Sequence, residues 1–561
     1  MQTILSVYQA NINSIVSTLY QKGLRHAVIS PGSRNAPLIM AFARSGNITC
    51  YSVPDERAAG FIALGMCKQL QEPVAVICTS GTAVLNLYPA IAEAFYMQVP
   101  LLVITADRPA EMIGRWDGQT IRQFEVFRPH VLGSFQTTEE LQRDATAEII
   151  PSVVDFYDTA NSAVKGPAHL NVPLTEPLYE AVHLEFEYPP VPLEMLEKNV
   201  KPQEEPDTGL WKFPDAAKVM ILLGADYTPD HDDNLASISD SRSAVVLADI
   251  ISNAHRYQNI PNWEAILLNA GEDQKKALVP DLLITSGKMV LNKTIKQLFR
   301  TNPPRHHWHI ARDGFCADTF FTGPAILNVS PGIFFKQFQQ HLLQNNTAYF
   351  DRFRELSVRQ SEQAAGILEQ GFNEFRAVRR MLRAFPEKAV IHLANSMPVR
   401  YAAYLADEIR PGWKMFSNRG VSGIDGCTST AVGMAMLNQE LNILLTGDIA
   451  FFYDINALWQ RQLPANLRIV ILNNFGGGIF RNIDGPSGMP ELDPYMTTSH
   501  TLSAAHLASH FRTRYFSAAS EAELEECLEP FLNGPGIAIL EVKTDQEINS
   551  HIFKQYKSIL L

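Results

Sequence analysis

Short, almost wholly apolar runs that end on Gly, Ser, Asp or Asn recur along this chain and constrain its fold more than any other feature. HAVISPGS, PVAVICTSG, PLLVITADRP and PAHLNVPL fall within the first 180 residues. VMILLGADY, SAVVLADII, DLLITSG and HHWHIAR form a second set, and AVIHLANS, NILLTGD, RIVILNN and IAILEVK a third. A strand that is apolar on both faces must be covered on both, which is the condition of a parallel strand flanked by helices. The rhythm of run, turn and helical segment therefore predicts an α/β protein of three doubly wound parallel-sheet domains. Residues 1–183 form the expected first domain, 209–350 the middle domain, and 351–561, opened by a long helical stretch, the third. Between the first two, 184–208 is dense in Pro and Glu, lacks either periodicity, and reads as a linker.

Composition narrows the function classes. With 561 residues, 46% of them hydrophobic and 19% charged, the chain has ample apolar surface for several cores. Its net charge of -12 provides no positive field for nucleic acid or an anionic membrane surface, so neither is an expected partner. Six cysteines stand at 50, 67, 78, 316, 427 and 527 without a CxxC pair, which suggests neither a zinc site nor a disulfide framework. No run approaches the roughly 20 apolar residues of a membrane span. The N-terminal stretch carries Gln, Asn and Ser among apolar residues at helical spacing, and reads as a first helix rather than a signal peptide. A cytoplasmic protein is expected. In the middle domain LLGADY does not complete GxGxxG, and no GxxxxGK[ST] occurs, which disfavours a nucleotide-dependent oxidoreductase.

The first and third sets are alike in spacing: Gly81 and Asp107 stand as far apart in sequence as Gly447 and Asn473. Duplication would produce this, and so would two βαβ units of ordinary length.

In TGDIAFFYDIN, Asp448 follows a strand and Gly447, at the carboxyl edge where open α/β sheets bind ligands. The next strand ends in LNNFGGGIF, which brings Asn474 to the same edge, followed by glycines that allow close backbone approach. The Asp448 carboxylate, the Asn474 amide oxygen and a backbone carbonyl at Gly476 are hard oxygen ligands. They would fill half of an octahedral shell around Mg²⁺, with Mn²⁺ as an alternative, leaving places for two phosphate oxygens and a water. Either dipeptide alone would also serve as an ordinary strand-end turn. In VPDERAAGFIALGMCK, Glu56 occupies the first turn of an apolar helix, where the helix dipole favours an acid in any case.

The GD and NN pairs, with their separation, resemble the signature of thiamine-diphosphate-dependent enzymes, although Ile449 stands where that signature usually has a third residue Gly. The resemblance implies pyrimidine-binding, middle and diphosphate-binding domains in that order. It implies thiamine diphosphate contacts from Gly447, Asp448, Ile449, Ala450, Asn474, Ile479 and Phe480, and an apolar wedge from Ile424 in GVSGIDG, which an ordinary core residue would equally explain. It also gives Glu56 the role of the cofactor-activating carboxylate. Because that glutamate and the diphosphate site come from different subunits in such enzymes, a homodimer or a dimer of dimers is implied.

Five segments, SPGSRNAPL, DERAAGFIALG, TSGTAVLNLYPAIAEAFY with ITADRP, NRGVSGIDG and NNFGGGIF, are similar to the 2-succinyl-5-enolpyruvyl-6-hydroxy-3-cyclohexene-1-carboxylate synthase family of menaquinone biosynthesis. That family decarboxylates 2-oxoglutarate and adds the succinyl unit to isochorismate, releasing carbon dioxide. Both substrates are dicarboxylates, and Arg suits bidentate carboxylate recognition. Matched residue by residue, Ser33, Arg34, Arg108 and Gln119 fall at the isochorismate side. Ser396, Arg400 and Arg419 fall at the side of the 2-oxoglutarate carboxylates, and Lys288 falls in a middle-domain loop. Gly118 and Met289 depart from residues that some members carry, which leaves the Lys288 contact the least supported. An acetolactate-synthase-like carboligase or another 2-oxoacid decarboxylase would share the frame but not the cationic pocket. A catalytically silent relative would not need Glu56, Asp448 and Asn474 intact.

Overall fold

The computed structural model describes residues 2–176, 178–179, 186–188, 190–196, 211–227, 229, 233–342, 346–482 and 485–560. Seventeen strands among them form three sheets in which every pairing is parallel. The first sheet contains β1 (His26–Ile29), β2 (Thr49–Ser52), β3 (Val74–Cys78), β4 (Leu101–Asp107), β5 (Ser134–Gln136) and β6 (Ala168–Pro173) in the order 2-1-3-4-6-5. The middle sheet has β7 (Val219–Leu223), β8 (Val245–Ala248), β9 (Leu282–Ser286), β10 (His306–Ile310) and β11 (Ala325–Leu327) in the order 11-10-9-7-8. The last has β12 (Ala389–Leu393), β13 (Trp413–Phe416), β14 (Asn442–Gly447), β15 (Leu467–Asn473), β16 (Arg514–Ala518) and β17 (Ala538–Lys543) in the order 13-12-14-15-17-16.

Counted from the first strand of each, the first and last sheets have the same order, and the middle sheet shares its first four places. This agreement extends beyond a single βαβ unit, in an order common to doubly wound sheets. Each of the central strands β3, β4, β6, β7, β9, β12 and β15 is buried along its whole length, as strands covered by helices on both faces must be. The expected α/β class with three parallel-sheet domains is the observed one.

The chain divides into two compact units. One comprises Met1–Gln203, Asn418–Gln439 and Tyr453–Pro464; the other comprises Glu204–Ser417, Glu440–Phe452 and Ala465–Leu561. The first unit holds the first sheet, and the second holds the other two. Of the expected linker 184–208, residues 184–185, 189 and 197–208 lie outside the described residues. Its remaining residues pack on the first unit: Tyr188 donates a hydrogen bond to the Ala41 carbonyl, and Val191 and Leu196 bury against Ile150 and Val154.

In the first unit the helix Glu56–Leu70 crosses the helix Cys427–Ala435 closely enough to exclude side chains. A Cβ on Gly65 would stand 2.2 Å from the Thr430 carbonyl oxygen, and one on Gly433 would stand 2.0 Å from that of Ile62. The two glycines are thus required by backbone approach. Arg57 fixes the same crossing, donating to the buried Asp454 carboxylate at 2.9 Å and to the Asp425 carbonyl. No described helix is long and apolar enough to cross a membrane.

Candidate functional site

In the second unit, β14 and β15 are neighbours with Gly447 opposite Leu472, so Asp448 and the Asn473-Asn474 pair emerge together at the carboxyl edge. Asp448 opens the helix Asp448–Tyr453 and is 3% exposed. Its carboxylate accepts the Ile449 N–H at 2.7 Å and the Gly476 N–H at 2.9 Å, and His500 Nε2 lies 3.3 Å away. Burial pushes the carboxyl up to about 7, against the backbone amides of Ile449, Gly476, Phe475 and Asn474, which favour its ionised form.

The two asparagines do different work. Asn473 shapes the turn: its Oδ1 accepts the Phe475 N–H at 3.0 Å, and its Nδ2 donates to Glu541 at 2.7 Å and to the Leu502 carbonyl at 3.0 Å. Asn474, 8% exposed, donates through Nδ2 to Glu374 Oε1 at 2.7 Å and leaves its buried Oδ1 without a hydrogen-bond partner.

These features fit a metal-bound diphosphate. A buried amide oxygen without a donor suits a cation, since leaving it unmatched costs free energy. Gly476 admits no side chain, because a Cβ there would lie 2.5 Å from Gln546 Nε2 and 2.8 Å from the Thr497 carbonyl oxygen. At Gly447 the space is open, with nothing within 4 Å of a notional Cβ. Among the described residues no group of three or more His, Cys, Asp or Glu side chains could hold a metal. A cation here would therefore draw on the single Asp448 carboxylate together with amide, backbone and ligand oxygens, as Mg²⁺ does when it accompanies phosphates.

The same sheet edge gathers other expected residues. Ala450 is buried behind Asp448, while Ile479 and Phe480 lie half-buried in the 3₁₀ turn Gly478–Asn482. Ser396, just beyond β12, holds a left-handed φ of 76° and stands immediately before the helix Met397–Tyr404, with no side-chain hydrogen bond to its first turn. Its carbonyl accepts a hydrogen bond from Arg400. Lys288 stands apart from this group: it is exposed, just beyond β9 in the middle sheet.

In the first unit, Ser33, Arg34, Glu56, Arg108 and Gln119 follow the carboxyl ends of β1, β2 and β4 or lie in the loops beyond them, while Arg419 and Ile424 lie half-buried in the segment before the helix Cys427–Ala435. Glu56 begins its helix after Asp55, whose carboxylate accepts the N–H groups of Arg57 and Ala58. Glu56 Oε2 accepts a long hydrogen bond from Asn86 at 3.4 Å. Arg34 is 3% exposed, donates to the Leu174 carbonyl at 2.9 Å, and reaches Glu176 at 3.4 Å. Burial, and then the positive field of Arg108, hold its guanidinium below its ordinary value. Arg108 donates to the Gly118 carbonyl at 2.8 Å and lies 3.7 Å from Asp117. The Nε atoms of both arginines are buried without a partner. Gln119 adopts a left-handed φ of 57°, and its carbonyl accepts the Ser80 hydroxyl at 2.9 Å. Ser33, next to Arg34, is exposed.

Two functional neighbours escaped the sequence reading. Glu93, buried in the helix Tyr88–Met97, accepts the N–H groups of Gly420, Val421 and Ser422, and so pins the turn that carries Arg419 and Ile424. Glu374 opens the helix Glu374–Ala384 and faces Asn474. The only sequence signal for Glu93 was a lone acid within AIAEAFY. Glu374 looks like any first-turn acid.

The model of the family described as thiamine pyrophosphate enzyme, N-terminal TPP binding domain, matches residues 12–126. Proteins named 2-succinyl-5-enolpyruvyl-6-hydroxy-3-cyclohexene-1-carboxylate synthase are similar over nearly the whole chain. The Flavobacterium johnsoniae protein is 40% identical over 551 residues, covering 97% of each chain. The Cytophaga hutchinsonii protein is 38% identical with 98% of each covered, and that of Bacteroides thetaiotaomicron is 33% identical over 97% of this chain and 98% of its own. Full-length similarity at this level, on a frame whose sheet edges carry the expected residues, means that the chain belongs to the 2-succinyl-5-enolpyruvyl-6-hydroxy-3-cyclohexene-1-carboxylate synthase family of thiamine-diphosphate-dependent enzymes.

Proposed function

We propose that this enzyme decarboxylates 2-oxoglutarate and joins the remaining succinyl unit to isochorismate, serving menaquinone biosynthesis in the cytoplasm. The observation that carries the substrate assignment is the pair Arg34, buried, and Arg108, half-buried, each with a buried Nε that has no partner. Such donors suit an anion that arrives with its own oxygens, and Arg presents them in the planar array a carboxylate accepts.

Residues 1–183 supply the pyrimidine-binding domain and 351–561 the diphosphate-binding domain, and 209–350 form the middle domain. Asp448, Asn474 Oδ1 and the Gly476 carbonyl hold Mg²⁺, or Mn²⁺ in its place. Gly447, Ile449, Ala450, Ile479 and Phe480 would contact the cofactor, with Ile424 as its apolar wedge. Thiamine diphosphate, when bound, supplies the electron sink for loss of carbon dioxide. Glu56 would be the carboxylate that exchanges a proton with the bound cofactor's aminopyrimidine ring. A homodimer is the minimal active unit, with Glu56 of one copy serving the diphosphate held by the other.

The protein's own contribution is orientation and exclusion of water. Ser396, Arg400 and Arg419 fix the 2-oxoglutarate carboxylates, and Ser33, Arg34, Arg108 and Gln119 fix isochorismate, with Lys288 contributing from the middle domain. Held this way, the two substrates meet without the entropy cost of a free encounter. Steady-state carbon dioxide release tests the assignment: kcat/KM for 2-oxoglutarate should exceed that for pyruvate by about 100-fold or more. A preference for pyruvate would overturn it in favour of an acetolactate-synthase-like carboligase.

A further inference from the structure

Glu374 is a buried carboxylate, 2% exposed, with no cation paired to it among the described residues. Burying a charge in this way costs stability unless something else requires it. Its surroundings are specific. Oε1 accepts Asn474 Nδ2 at 2.7 Å, Oε2 accepts the Tyr401 hydroxyl at 2.7 Å, and the Thr544 hydroxyl also bonds it. Its backbone N–H donates to Asn549 Oδ1 at 2.9 Å, which fixes the start of its helix.

An asparagine side chain has two faces of similar shape and opposite polarity, and only its hydrogen bonds decide which way it points. With Asn474, Tyr401 and Thr544 all hydrogen-bonded to it, the Glu374 carboxyl acts as an acceptor on both of its oxygens. Facing Glu374, Asn474 must therefore turn its NH₂ group inward, which leaves Oδ1 on the opposite side, buried and without a donor. Asp448 is close by: its carboxylate accepts the Asn474 backbone N–H, and its charge is felt at Glu374.

We propose that Glu374 is a positioning residue that locks the Asn474 amide with its oxygen toward the divalent cation. The inference rests on the metal reading given above and adds a residue to it. Outer partners that orient metal ligands typically change metal affinity by about 10- to 100-fold when removed.

Glu374→Gln keeps the volume but can present either NH₂ or oxygen to Asn474, so the lock is lost. In the double variant Glu374→Gln/Asn474→Asp, the polarity of the pair is exchanged: the glutamine NH₂ donates to the new carboxylate, which still directs an oxygen to the cation. Binding of Mn²⁺ to the purified protein with thiamine diphosphate, followed through the electron paramagnetic resonance signal of free Mn²⁺, reads the effect directly. Thermal unfolding of the metal-free protein serves as the folding control.

Glu374→Gln should weaken Mn²⁺ about 10-fold or more, with unfolding of the metal-free protein unchanged or shifted upward, and the double variant should recover most of the loss. Wild-type affinity in Glu374→Gln, or a loss that the exchanged pair does not recover, would overturn the proposal. Failure of the wild-type protein to bind Mn²⁺ with the cofactor would instead contradict the metal reading itself.

Discussion

The Glu93 carboxylate accepts the backbone N–H of Gly420 at 2.6 Å, and with it those of Val421 at 2.7 Å and Ser422 at 3.3 Å. One buried side chain thus takes the place of a secondary-structure ladder for three consecutive residues far along the chain. Burial raises its pKa, and the three amides and Arg419 oppose the rise. Glu93→Ala would leave three amides without an acceptor, and should destabilise the protein by about 3 kcal/mol. Glu93→Gln, which keeps one acceptor oxygen, should lose less. Urea unfolding of the two variants checks the order; equal losses would contradict it.

The helix crossing at Gly65 and Gly433 tolerates no methyl group. Gly433→Ala should destabilise by about 3 kcal/mol, because the clash is with backbone and cannot be relieved by a rotamer change. Gly488→Ala, where nothing lies within 4 Å, should be nearly neutral. Denaturant midpoints measured side by side would show the contrast, and a neutral Gly433→Ala would contradict the packing described.

Two buried histidines make stability depend on acid. Burial lowers His169 from its ordinary 6.5 to about 3 and His392 to about 4. His169 is held by Thr105 at 2.7 Å and His392 by Asn442 at 2.9 Å. Below pH 6.5 the unfolded chain takes up protons that these folded imidazoles refuse. Stability present above pH 6.5 is therefore lost as pH falls toward those lower values, by about 1.4 kcal/mol per pH unit for each histidine. His169→Gln should make the decline between pH 6.5 and 5 shallower by about one proton's worth, read from unfolding free energies across that range. An unchanged slope would contradict the assignment of His169 as a neutral buried group.

The arginine pair makes a prediction that separates the two substrates. Arg34→Lys and Arg108→Lys keep the charge but lose the planar donor array, and should lower kcat/KM for isochorismate by about 10- to 100-fold. Carbon dioxide release from 2-oxoglutarate alone should change much less. Equal losses for both substrates would place these arginines elsewhere in the reaction.

The central strands were legible because a strand buried on both faces needs an unbroken apolar run, and such runs are visible without a partner. The strands the runs did not announce, β2, β5, β11, β13 and β16, all lie at the edge of a sheet, where one side is open and the burial pattern is mixed. Asp448 and Asn474 could be placed for the same reason as the strands they terminate. Glu374 and Glu93 could not, since each acts on a residue or turn remote in sequence, and an acid in a helix has a local explanation already. The shared strand order of the first and last sheets was likewise hidden, because spacing within one βαβ unit says nothing about which strands become neighbours.

The central claim is that one chemical event joins both substrates. Its most direct test is the ratio of carbon dioxide released to coupled product formed, with 2-oxoglutarate, isochorismate, thiamine diphosphate and Mg²⁺ supplied together and the product identified by mass. The account predicts one carbon dioxide per molecule of 2-succinyl-5-enolpyruvyl-6-hydroxy-3-cyclohexene-1-carboxylate. Carbon dioxide released without that product while isochorismate is present would contradict it.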